Sequence, residues 1–452
     1  MVLVLTQMSH CIGSLLIACL KVTMPDILQI STFLLVTLLP VLAVTIGERF
    51  ILDTDVAAMV PNSSNCSNSS AIPTTSYLER AKCVLESFPL IDGHNDLAER
   101  YREFLNNTVY AVDLRSDLSQ LLNTTELQAD IPKLLAGKLG GQFWSCWVSC
   151  GSQYKDVVRM TLDQLDVIKK FIRRYPDVFK FVSTAQGVLD AFSEGKIASL
   201  IGLEGGHSLD SSLGVLRMYY ELGIRYMTVT HSCNTPWADN WHVDEIGYNG
   251  TKIDGLTEFG KQVIREMNRL GIMVDLAHVS KKTMSDILDL SVAPVIFSHS
   301  SAFRLCNHFR NVQDDILFRT KANGGVVMVN FYDKFVVCPP NNKPDTVMLD
   351  VADHIDYIKD LIGVDHVGIG ADFNGIPSTP KGLEDVSKYP DLFAELIKRG
   401  WSDGDLQKLA GRNILRVFRA VEQIRDGLVN VPPIEDHIPP EQYVNDSCRT
   451  DI

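Results

Sequence analysis

The sequence predicts an α/β fold: one TIM-type (β/α)8 barrel with a binuclear metal site at the C-terminal ends of its strands. Three observations carry that expectation. Short apolar runs alternate with amphipathic segments from residue 88 onward, eight such runs occur, and ionisable side chains gather just past their ends.

The runs are Pro89–Asp92, Gln142–Val148, Ser199–Leu203, Arg225–Thr230, Ile272–Leu276, Val295–Ser298, Val326–Phe331 and His366–Gly370. Continuous apolar runs of this length suit strands buried on both faces, as in a parallel sheet. Between them, Ser212–Leu222 and Leu256–Leu270 carry apolar residues at three and four spacing and run into Gly223 and Gly271. Glycine there ends a helix, because it accepts the left-handed backbone of the last turn. Lys281–Leu290 reads as another helix with Ser280 as N-cap, and the stretch from about Glu395 to Glu422 is mostly helical. The barrel is expected over residues 88–427, followed by a Pro-rich polar tail over 428–452.

Composition narrows the class. Of 452 residues, 46% are hydrophobic and 21% charged, enough to build a large core. A net charge of -13 with no long basic run disfavours nucleic acid as a partner. Within residues 1–50, the stretches 11–20 and 27–46 are apolar, and the second is uncharged and about as long as a bilayer span. It reads as a signal anchor or as a signal sequence removed on export. Residues 51–87 read as a polar glycosylated stalk with sequons at Asn62, Asn65 and Asn68, and further sequons stand at Asn106, Asn123, Asn249 and Asn445. Ten cysteines fit the same secretory compartment, which places the chain at the outer face of the cell membrane or outside the cell. Cys11 and Cys19 lie in the leader, and spacing alone does not pair the other eight.

The chemistry lies at the run ends. The first ends GHND, offering His94 and Asp96, and the third ends LEGGH, offering Glu204 and His207. The fourth leads to His231, the fifth to His278, the sixth to His299 and the eighth to Asp372. A single histidine beside an apolar strand is ordinarily a hydrogen-bonded core residue. Five of them with three acids at one end of a barrel call for another account, since burying carboxylates without a cation costs on the order of several kcal/mol each.

In extended backbone, His94 and Asp96 project to one face and can reach one ion. Glu204 can bridge two ions with its two oxygens, and His278 and His299 can complete the second. Imidazole and carboxylate donors suit zinc, and two ions about 3.5 Å apart can hold a bridging hydroxide. Ser280, Ser298 and Ser300 flank the histidines without a nucleophile-elbow context, which disfavours a serine mechanism.

Taken in order, GHND, IGLEGGHS, THSCNTPWADNW, DLAHVS, IFSHSSA, RNV and DFNG closely resemble the motifs of the membrane dipeptidase (renal dipeptidase) family, zinc enzymes with a TIM-barrel fold. The resemblance runs from about Phe88 to Thr450. It implies two zinc ions per subunit, one held by His94, Asp96 and Glu204 and the other by Glu204, His278 and His299. It implies His231 near the scissile carbonyl and the oxyanion, and Arg310 on the substrate's C-terminal carboxylate, a task that suits a bidentate guanidinium. Asp372 would take a proton from the metal-activated bridging water and give it to the leaving amine. His207 matches a family position that is not a ligand and is expected to be structural.

The implied reaction is zinc-dependent hydrolysis of dipeptides, including cysteinyl-glycine conjugates, with the lactam of carbapenem-type compounds as a further substrate. The same resemblance implies disulfides Cys150–Cys233 and Cys306–Cys338 and a homodimer linked through Cys448. Cys66, Cys83 and Cys146 then have no family partner, which leaves room for one further disulfide and an odd thiol. Family members are usually held by a GPI anchor that needs a hydrophobic C-terminal tail. This sequence ends SCRTDI, so truncation, tethering through residues 27–46 and secretion are the open alternatives. A rival reading, a catalytically silent paralogue acting in surface binding or adhesion, is opposed by the complete ligand set. Deaminase chemistry on a similar barrel is opposed by HND in place of the HxH typical of that class.

Overall fold

The computed structural model describes residues 77–124, 127–338, 345–439 and 442. The apolar stretches 11–20 and 27–46, the sequons at Asn62, Asn65, Asn68 and Asn445, and Cys66 and Cys448 lie outside the described residues. Among the described residues no helix is long and apolar enough to cross a membrane.

Parallel strands form the centre: β1 (Leu90–Asn95), β2 (Leu139–Trp147), β3 (Phe179–Phe181), β4 (Ile197–Glu204), β5 (Ile224–Thr228), β6 (Met273–Asp275), β7 (Ile296–Phe297), β8 (Val326–Val329) and β9 (Val367–Ile369). All but β3 correspond to the eight apolar runs. β1 pairs with both β2 and β9, and β2 pairs with β4 from Gly141↔Ala198 to Trp147↔Glu204, so the ring β1-β2-β4-β5-β6-β7-β8-β9 closes. The expected (β/α)8 barrel is the observed fold.

The additional strand β3 pairs with Ile197, Ala198 and Ser199, ahead of the point where β5 joins β4 at Ile201. Its sequence, Phe-Lys-Phe, is too short to show a period. Packing holds it there: Trp144 of β2 meets Phe179 and Phe171 edge-on, with ring centroids 5.9 and 5.0 Å apart.

Helix ends fall where their caps put them. Ser212, Thr257 and Ser280 each accept a hydrogen bond from the backbone N–H three residues on, starting helices at Leu213, Glu258 and Lys281. The second of these ends at Gly271, whose φ of 79° is left-handed. Helix Glu258–Leu270 turns Val263, Ile264 and Met267 inward, which is how its three-and-four spacing covers the barrel.

The ends of the barrel differ from expectation. Tyr77–Ser87, in the stretch read as stalk, is a helix that buries Ala81, Val84 and Leu85 against the helix Tyr389–Lys398. Residues 434–438, in the stretch read as tail, dock through Ile438 and through Ile434, whose carbonyl accepts from Arg217 at 2.9 Å. The cysteines sort as the resemblance implies, with Cys150–Cys233 and Cys306–Cys338 joined. Cys83 is also disulfide-bonded, and Cys146 is a buried free thiol.

Candidate metal centre

Because every barrel strand is parallel, residues just past their C-termini meet at one mouth. His94 lies near the end of β1 with Asp96 beyond it, and Glu204 closes β4. His231, His278, His299 and Asp372 follow β5, β6, β7 and β9. They converge as the run ends predict. Glu204 Oε2 lies 3.3 Å from His94 Nε2, while its Oε1 lies 3.1 Å from His278 Nε2, 3.5 Å from His299 Nε2 and 3.7 Å from His231 Nε2. On the other side, His94 Nε2 is 3.3 Å from Asp96 Oδ2 and 4.0 Å from Asp372 Oδ1. The Glu204 carboxylate therefore divides its two oxygens between two sets of donors.

Donor atoms within 4.8 Å of one another form three overlapping groups: His94, Asp96 and Asp372; His94, Glu204 and His299; and Glu204, His231 and His278. These residues fit a pair of cations. His94 Nε2 is buried with no hydrogen-bond partner among three carboxylates. Burial works against a charge on that ring, yet neighbouring Tyr226, Glu204 and Asp96 outweigh it and hold its pKa well above the usual range. The proton so favoured sits where a metal ion would displace it. Burial, followed by positive or imidazole neighbours, pushes His231, His278 and His299 well below the usual range, so all three offer neutral nitrogens.

Further out, hydrogen bonds choose the tautomers. Tyr226 Oη donates to the Gly93 carbonyl at 3.1 Å and so accepts from His94 Nδ1 at 2.8 Å, which turns the Nε2 lone pair toward the site. Asp275 takes the Ser298 hydroxyl at 2.5 Å, leaving Ser298 Oγ to accept from His299 Nδ1 at 2.7 Å. The same carboxylate is fixed by Thr228 Oγ1 at 2.6 Å and by the backbone N–H of Ser298 and Ala277. Neither Tyr226 nor Asp275 is among the site residues expected from sequence, although Asp275 stands as the one acid inside the run ending DLAH. Ser298→Ala should cost roughly 10- to 100-fold in metal affinity or turnover, read by metal titration of the purified chain. A change under twofold would refute the relay.

His278 and Asp372 adopt φ of 66° and 70°, which costs a side-chain-bearing residue on the order of 1–2 kcal/mol each. Contacts hold both in place. The His278 carbonyl accepts from Trp241 N at 2.8 Å and Thr230 Oγ1 at 3.1 Å, and Asn330 Nδ2 donates to Asp372 Oδ2 at 2.8 Å. Burial, and after it the acids Asp96 and Glu204 against the opposing pull of His94 and Arg310, raises Asp372 to about 7.

The donors open onto a cavity of about 290 Å³ whose wall includes Trp147, Trp241, Tyr332 and Phe335 together with Arg310. Arg310 is buried, its Nη1 lacks a hydrogen-bond partner, and its guanidinium lies 5.4 Å from the Phe335 ring. Burial lowers it to about 10, so it stays cationic at neutral pH. Glu99, which sequence reasoning passed over, lines the same wall. Burial and then Asp96 raise it to about 8. His207 stands apart from the cavity, with Nε2 donating to the Val148 carbonyl at 2.9 Å. Its neighbours Cys150 and Cys233 are tied up in their disulfide.

A parallel barrel whose mouth carries buried neutral imidazoles around a shared carboxylate defines a metal-dependent hydrolase. Residues 78–431 match the family described as membrane dipeptidase, peptidase family M19. The chain belongs to that family and is a metallo-dipeptidase. It is 43% identical over 374 residues to Dipeptidase 3 of Mus musculus, covering 83% of this chain and 72% of that one. It is also 43% identical over 366 residues to Dipeptidase aclJ of Aspergillus oryzae, covering 79% and 84%. Among solved structures, a metallo peptidase from Rhodobacter sphaeroides liganded with a phosphinate mimic of the dipeptide L-Ala-D-Ala superposes with a TM-score of 0.65 at 25% identity, covering 74% of this chain and 99% of that one.

Proposed function

We propose that this chain is a zinc dipeptidase holding two ions per subunit, one on His94, Asp96 and Glu204 and one on Glu204, His278 and His299. The observation that carries the reading is Glu204, with one oxygen 3.3 Å from His94 and the other 3.1 Å from His278. When bound, such a pair of ions supplies an activated water and a polarised scissile carbonyl. The chain's own residues do the rest. Arg310 binds the substrate's C-terminal carboxylate through its unpartnered Nη1. His231, neutral and half-buried at the cavity wall, donates a hydrogen bond to the oxygen that becomes negative as the carbonyl is attacked. Asp372, oriented by Asn330, accepts the proton released on attack and returns it to the leaving amine as the C–N bond breaks.

Cysteinyl-glycine conjugates are proposed among the substrates, on the family resemblance. The enzyme is proposed to act at the outer cell surface or secreted, as a glycosylated homodimer linked through Cys448. Exposed side chains at the sequons Asn106, Asn123 and Asn249 and the disulfides support that compartment. The purified ectodomain should hydrolyse glycyl-dehydrophenylalanine and cystinyl-bis-glycine, lose turnover to a chelator and recover it with zinc, with about two zinc ions per chain by elemental analysis. Turnover that zinc does not restore would defeat the proposal.

A further inference from the structure

We propose that Glu99 is a specificity-determining residue that receives a substrate ammonium group, so that the enzyme favours dipeptides whose N-terminal residue brings positive charge to that side of the cavity. The inference rests on the dipeptidase reading above. Four acids line the cavity: Asp96, Glu99, Glu204 and Asp372. Asp96, Glu204 and Asp372 each belong to a group of donors close enough to share an ion, whereas among the described residues Glu99 belongs to none. Asp96 and Glu204 serve as metal donors and Asp372 as the proton acceptor in that reading, which leaves Glu99 as the acid of the cavity wall without a task, and a substrate ammonium beside it favours its ionised form.

The neighbouring Arg100 makes a long ion pair with Glu99 and no direct hydrogen bond to it. Arg100 Nη2 lies 3.8 Å from Glu99 Oε2, beyond hydrogen-bond reach, and the same guanidinium is committed to the Asn374 carbonyl at 2.5 Å and to Glu103. The Glu99 side chain is only 24% exposed, so water screens it less than a surface carboxylate. An acid in the first turn of helix Leu97–Leu105 also steadies that helix when ionised. That role needs no contact with the cavity, and Glu99 lines it.

The other pole of the cavity fixes the direction of the substrate. Arg310 follows β7 and Glu99 follows β1, three strands apart in a ring of eight and so nearly opposite. A dipeptide whose carboxylate meets the unpartnered, buried Arg310 Nη1 must extend its N-terminal residue across the donor cluster toward Glu99. The ammonium can come from the α-amino group or from a basic side chain.

The two sources separate when parent, Glu99→Gln and Glu99→Leu are compared on lysyl-glycine, alanyl-glycine and glutamyl-glycine, with zinc content and Tm measured alongside. The expected result is an approximately tenfold fall in the lysyl-to-alanyl ratio of kcat/KM, carried by KM, together with improved glutamyl-glycine hydrolysis. That outcome assigns the side-chain ammonium. An equal rise in KM for lysyl- and alanyl-glycine assigns the α-ammonium. Unchanged KM for all three substrates in both variants, or a fall confined to kcat, overturns the inference while leaving the dipeptidase reading standing. If the parent turns over none of the three, the dipeptidase reading fails first. Calorimetric binding of lysyl- and alanyl-glycine then decides this one, with equal affinities for parent and variants overturning it.

Discussion

Glu204→Gln is expected to lower kcat/KM for dipeptide hydrolysis by about 10³-fold or more, since stabilisation by the metal centre amounts to several kcal/mol and each 1.36 kcal/mol is tenfold. Glutamine keeps the shape of the side chain and removes the charge that both donor sets share. Stability should move the other way. Burial is the largest cause of the raised pKa of Glu204, so in the metal-free chain its ionised form opposes folding. The metal-free variant should therefore have a Tm at or above that of the parent, and the gain in Tm on adding zinc should shrink or vanish. Thermal melts with and without zinc, beside metal analysis, read both effects. A variant with full zinc content and near-parent turnover would show that Glu204 is not the shared ligand.

Gly202→Ala is expected to destabilise the barrel by about 3 kcal/mol or more, at the upper end for added atoms in a packed core. A Cβ at that position of β4 would sit 1.9 Å from Cζ of Tyr226, whose ring is fully buried. The ring has little freedom to yield, because its hydroxyl is held by His94 Nδ1 and the Gly93 carbonyl. Any variant that folds should also bind metal more weakly, as the His94 tautomer loses its partner. Gly427→Ala, with nothing within 4 Å of the added Cβ, is the control and should leave the melt unchanged or slightly higher. Equal Tm for the two variants would show that the barrel interior is looser than this contact requires.

Much of this enzyme is legible in its amino-acid sequence. A parallel strand buried on both faces must be apolar throughout, so the eight runs stand out, and polar groups at their ends have few places to be except a common mouth. His94, Asp96, Glu204, His231, His278, His299 and Asp372 all follow from that logic, and Arg310 from its motif. The strand β3 is hidden because three residues carry no period. The helix Tyr77–Ser87 is hidden by the Ser- and Asn-rich segment ahead of it, and its three buried side chains show their purpose only against the helix Tyr389–Lys398.

By itself, the sequence determined the barrel and the residues at its mouth, and its sequons point to a secretory compartment, because hydrophobic period, strand-end polarity and sequons are properties of local segments. Tertiary structure alone decided how Glu204 divides its oxygens, which tautomers Tyr226 and the Ser298–Asp275 relay select, and that Glu99 and Arg310 line one cavity. Those relations join residues up to 211 positions apart. Ring closure sets them, and no pattern along a single strand or helix records which partner the closed ring will bring opposite.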